Sequence, residues 1–231
     1  MIPPWLHDLA LLSLGLGGAS ALVLGVDLAR RPQRMWIMDV VWPVTALFGG
    51  PLVLWQYFVH GRARPGETEP LTPFWAAVAN GALHCGAGCA LGDLMAEWLV
   101  FAVPAVAVAF GWPRLFRDQI FAVWIVDYLF AYAFGIAFQY FTIAPMRGLS
   151  LGPGLWAAIK ADTLSLTAWQ VGMYGSMAIA HFLLFGRIFG VALKTDTAEF
   201  WFVMQIAMLC GFVTAYPVNW WLIRAGVKET M

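Results

Sequence analysis

Residues 81–93 read Gly81-Ala-Leu-His84-Cys85-Gly86-Ala-Gly88-Cys89-Ala-Leu-Gly92-Asp93, inside a run from Phe74 to Trp112 that is otherwise almost wholly apolar. Read as a helix, Cys85, Cys89, Asp93 and Glu97 recur every fourth residue and line one face, with His84 one position around. Thiols, an imidazole and carboxyls are costly to hold in hydrocarbon without partners. The stretch therefore predicts a membrane helix whose polar face looks into a bundle.

The rest of the chain agrees. Of 231 residues 61% are hydrophobic and only 11% charged, against about a quarter charged in a typical soluble domain. Many of the 13 tryptophans fall near the ends of apolar runs, where an amphipathic ring prefers the water–lipid boundary. The expected fold is all-α: a polytopic transmembrane bundle of about six spans in the cell membrane, with a four-helix core from spans three to six. The spans are expected at about 9–28, 35–59, 75–102, 119–143, 155–185 and 198–223. The first reads as a retained span, since no Lys or Arg precedes it. Asp39 is expected to cap a helix start or pair with Arg34.

The third apolar run is too long for one crossing. As a single helix it would reach roughly 58 Å, against about 30 Å of hydrocarbon. Pro104 is the obvious stop, and Gly86, Gly88 and Gly92 are a second candidate break; a re-entrant pair with Asp93 at its tip is the alternative. The polar linker at 60–73 suggests a boundary between an amino-terminal pair (residues 1–62) and a four-helix unit (74–231). Lys and Arg divide almost evenly between the two faces. The triple-Arg first loop weakly favours a cytoplasmic first loop and external termini.

Equal numbers of acidic and basic residues, 13 each, give no case for nucleic acid. No nucleophile triad, phosphate loop or nicotinamide fingerprint is present, which points away from an enzyme. Two chemical readings of the polar groups stand side by side. Cys85, Cys89 and His84, with Met173 and Met177 as partners, are the ligand types that suit a soft ion, copper above all. Alternatively, Gly81, Cys85, Gly88 and Gly92 form a small-residue stripe for close helix contact, and the methionines fill core. Asp93, Asp127 and Asp162 outnumber the single deep base Lys160, so they would balance charge or relay protons. Ser165, Gln170 and His181 on span five suit interhelical hydrogen bonds.

Three runs carry a family likeness: HCGAGCALGD at 84–93, ADTLSLTAWQVGM at 161–173 and YPVNWWLIRAGVKETM at 216–231. Together they resemble an uncharacterised bacterial integral-membrane family, domain of unknown function 4396, over about residues 74–231. The resemblance implies that His84, Cys85, Cys89, Asp93 and the Asp162–Leu166 segment matter together, but it names no substrate. The expectation is a copper-binding or copper-transport protein. The alternatives are a non-catalytic subunit packing against a membrane partner or a second copy, and a proton-coupled carrier working through its carboxyls.

Overall fold

A computed structural model describes residues 2–63 and 72–229. The helices are α1 (Pro4–Arg30), α2 (Trp36–Gln56), α3 (Phe74–Ala102), the short α4 (Ala105–Ala109), α5 (Gln119–Arg147), α6 (Leu151–Ala178) and α7 (Ala198–Arg224). π-Helical turns extend α2 over Tyr57–Gly61 and α6 over Ile179–Phe189. There is no strand among the described residues. Six helices are long and apolar enough to cross a membrane, so the chain is a polytopic membrane protein.

α3, α5, α6 and α7 pack in a ring, α3 against α5, α5 against α6, α6 against α7 and α7 against α3. α1 and α2 pair with each other and lie on the α3–α7 side. α3 is unbroken from Phe74 to Ala102, so its glycines do not split it and Asp93 is not at a re-entrant tip. They serve close approach instead. A Cβ on Gly88 would stand 2.9 Å from the Gly135 nitrogen, and one on Gly92 would stand 2.6 Å from the Ala131 Cα. The chain stops being helical just before Pro104, which cannot donate the next helical hydrogen bond. Residues 64–71 of the polar linker lie outside the described residues.

α2 departs from the smooth span its composition suggests. It is kinked at Gly50, whose φ of 50° is open to glycine, next to Pro51. Pro51 has no N–H for the Leu47 carbonyl four residues back. That carbonyl accepts instead from the Gln205 side chain of α7 at 2.6 Å, so it is not left without a donor. At the membrane ends, Asp27 accepts from Tyr57 Oη at 2.8 Å and from Arg62 Nε at 2.9 Å. The Asp27 carboxylate beside it raises the Arg62 guanidinium above its ordinary range. Asp39 accepts from the Gln33 backbone N–H at 2.8 Å; it ties the preceding turn to α2 rather than capping the helix, whose N-cap is Met35. Glu199 bonds His7 Nδ1 at 2.8 Å, tying α7 to α1.

Candidate functional site: a column of buried polar groups

The polar face of α3 looks into the ring. Gly81 and Glu97 on that face are separated by roughly 24 Å along the helix, most of a bilayer core. His84, Cys85, Cys89, Asp93 and Glu97 are all buried. Trp169 of α6 holds the helices apart at mid-height: its ring seats over Gly86 of α3, where a Cβ would stand within 2.8 Å of three ring carbons, and over Gly211 of α7 at 2.6 Å. Phe48 of α2 packs edge-on against the same ring at 5.8 Å.

At the end near the α3 start, a lysine enters from the carboxyl-terminal tail. Lys228 is 2% exposed and its Nζ donates to the Gly81 carbonyl at 3.0 Å and to Asn219 Oδ1 at 2.7 Å. Asn219 Nδ2 in turn donates to Ser165 Oγ at 2.7 Å, joining α7 to α6. His84 Nε2 shares a 3.1 Å hydrogen bond with Thr142 of α5, while its Nδ1 has no protein partner. The Lys228 charge acts on both His84 and Asp162.

One level further along, Asp162 of α6 lies over Gly135 of α5, faces the Cys85 thiol and accepts from Gln139 Nε2 at 3.4 Å. Its Oδ2 makes no hydrogen bond. Cys89 faces Cys85 and lies between Asp162 and Asp93. Beyond it, Asp93 of α3, Asp127 of α5 and Glu97 of α3 face one another. The four carboxyl oxygens of Asp93 and Asp127 are buried and bond to no protein group. Gln170 faces Asp93, yet both ends of its amide are also unpaired. Tyr174 closes this level, its Oη donating to the Trp124 carbonyl at 2.8 Å. Glu97 ends the column at the other face, accepting from Thr195 Oγ1 at 2.9 Å.

The groups singled out from sequence thus meet in part. His84, Cys85, Cys89, Asp93, Asp127, Asp162, Ser165 and Gln170 belong to one column. His181 does not: it sits past the end of α6, edge-on to Phe182 at 4.8 Å and facing Asp118 at the α5 start. Met173 and Met177 are buried in the apolar core with Met204 and Met208. Among the described residues, no three His, Cys, Asp or Glu side chains converge closely enough to hold a metal ion. No such cluster supports the copper reading, and the thioethers of Met173 and Met177 share the apolar core with Cys85 and Cys89. Lys228 and Asn219 went unrecognised in the sequence, although both lie in the terminal run that carries the family likeness.

A family model, Domain of unknown function (DUF4396), matches residues 74–228, about two thirds of the chain. The chain belongs to this family. The DUF4396 match starts on the first residue of α3 and runs to Lys228, so it takes in the four ring helices and every group of the column. α1 and α2 lie outside it. No curated protein and no solved structure matches the chain.

Proposed function

We propose that the protein is a proton-coupled carrier of the cell membrane, with the buried carboxyls between α3, α5 and α6 as its proton path. The observation that carries this reading is the Asp93–Asp127 pair, fully buried with all four oxygens unpartnered by protein. A fixed structural carboxyl at such depth is normally paired or hydrogen-bonded, because leaving it bare costs several kcal/mol at the order-of-magnitude level. Unpartnered acids suit groups that exchange a proton or a passing cation instead. Glu97, Asp93 and Asp127 at one level, with Asp162 further along the same column, give such an exchange its carboxyl steps. Copper handling by Cys85, Cys89, His84, Met173 and Met177 has less behind it, since the thioethers belong to the apolar core.

The reading is tested in liposomes containing a pH-sensitive dye, across an imposed pH gradient. The full-length protein should accelerate proton equilibration, Asp93→Asn and Asp127→Asn should abolish the acceleration, and Cys85→Ser with Cys89→Ser should leave it. Flux that survives Asp127→Asn overturns the proposal.

A further inference from the structure

A cleft of about 190 Å³ opens between α1, α2, α3 and α7, and Asp93 forms part of its inner wall. We propose that this cleft is the binding site for a small ammonium ion with an apolar body about one ring in size. The inference rests on the carrier reading for its transport role, but not for binding itself.

The lining decides the chemistry. Phe48, Trp201, Met204 and Met208 supply apolar, polarisable walls. Only Asp93 and Gln205 bring polar side chains that could meet a ligand, and the amide of Gln205 is already occupied: its Oε1 accepts from Ser13 Oγ at 2.7 Å and its Nε2 donates to the Leu47 carbonyl. The Trp201 indole N–H is likewise engaged with the Thr195 carbonyl at 2.8 Å. Asp93 is left as the one unsatisfied group, 0% exposed and without a partner.

Candidate ligands sort by what they do to that carboxyl. A neutral apolar molecule leaves it bare. An anion meets Asp93, Glu97 and Asp127 together. A hard metal ion finds, among the described residues, no group of three His, Cys, Asp or Glu side chains to hold it. An ammonium group satisfies it as a charge-assisted donor, while aromatic faces and thioethers favour the cation and its apolar body. The size is set by volume, since a cavity of about 150 Å³ holds one benzene ring. As the ammonium arrives, the carboxyl proton leaves for solvent and the net charge of the site is unchanged. The other titratable groups facing Asp93 are Cys89 and Glu97 of α3, Asp127 of α5 and Tyr174 of α6.

Benzylammonium and its neutral analogue benzyl alcohol separate the possibilities by calorimetry on the full-length protein in detergent. Benzylammonium should bind the unaltered protein and bind Asp93→Asn at least tenfold more weakly, while benzyl alcohol binds both equally. Gly18 lines the cleft mouth, and nothing lies within 4 Å of a Cβ there. Gly18→Leu therefore fills the cleft without touching the acid, and should remove binding of both molecules. Repeating the titration in buffers of different ionisation heat should show a proton released with benzylammonium and none with benzyl alcohol. Benzylammonium binding that is absent, or unaltered by either substitution, overturns the site. Binding without proton flux in liposomes supports the site and removes the carrier reading; flux without binding removes the site alone.

Discussion

The α3–α5 seam sets the distance between Asp93 and Asp127, and Gly92→Ala tests it directly. A Cβ at position 92 would stand 2.6 Å from the Ala131 Cα and closer still to its nitrogen, against about 3.5–4.0 Å for carbon atoms in ordinary contact. These are backbone atoms, so no side chain can swing aside and α5 must retreat by roughly 1 Å. One turn away, Gly88 meets the Gly135 nitrogen at 2.9 Å, so the retreat opens the neighbouring contact as well. Overpacking of this kind costs about 1–3 kcal/mol, and the upper end is expected because neither partner can adjust. At about 2–4 °C per kcal/mol for a chain of this size, the midpoint should fall by roughly 6–12 °C. The assay is the temperature at which half the detergent-solubilised protein ceases to be monodisperse. Gly175→Ala is the control: nothing lies within 4 Å of a Cβ there, and replacing a helix-interior glycine by alanine gains up to about 1 kcal/mol. The separation of Asp127 from Asp93 should also slow proton flux in the Gly92 variant. Equal midpoints for Gly92→Ala and Gly175→Ala would refute the reasoning.

Three further outcomes follow from the same geometry. Lys228→Met keeps the apolar stem but leaves the Gly81 carbonyl and Asn219 Oδ1 without their donor; at about 1–3 kcal/mol per buried unsatisfied group, the thermal midpoint should drop, and a rise would show the ammonium to be a burden. Gly86→Ala should displace the Trp169 ring from between α3 and α7, seen as a changed near-ultraviolet circular dichroism band together with a lower midpoint. Metal analysis of the purified protein should find no stoichiometric copper, and Cys85→Ser with Cys89→Ser should leave the metal content as it was; one copper per chain that disappears in the double variant would restore the soft-metal reading.

The sequence made the spans and the polar face of α3 legible because both are periodic. A thiol or carboxyl every fourth residue in an apolar run describes one helix face, and such a face should look inward. The glycines were ambiguous in the same pattern. Gly88 and Gly92 accept a neighbouring helix backbone, whereas Gly86 seats a tryptophan ring, and spacing alone does not separate the two. The methionines of α6 are ambiguous for a related reason: a one-turn repeat of Met173 and Met177 describes a core stripe as well as a ligand pair. Lys228 was harder. A lysine four residues past Arg224 reads as an ordinary interfacial cation, and no periodicity shows that the tail folds back to bring it inside. The α2 kink shows the converse case: Gly50 and Pro51 announce it locally, but not that the freed Leu47 carbonyl would bind Gln205.

The placement of the one buried lysine gives the column a direction. Lys228 acts on Asp162 and His84 at the end near Gly81, while at the other end Asp93, Asp127 and Glu97 face one another. A cation entering beside Asp93 can replace an acid proton there and, moving toward Asp162, meets increasing repulsion from the tethered ammonium. The lysine holds that end through hydrogen bonds to α3 and α7 rather than through an ion pair with a single acid. Passage at the Asp162 level therefore requires the tail to withdraw or the cation to stop at Asp93 and exchange there with protons. The second course leaves the α3–α7 clasp intact, which is why the cleft beside Asp93, rather than the Asp162 end, is where a cationic substrate should bind.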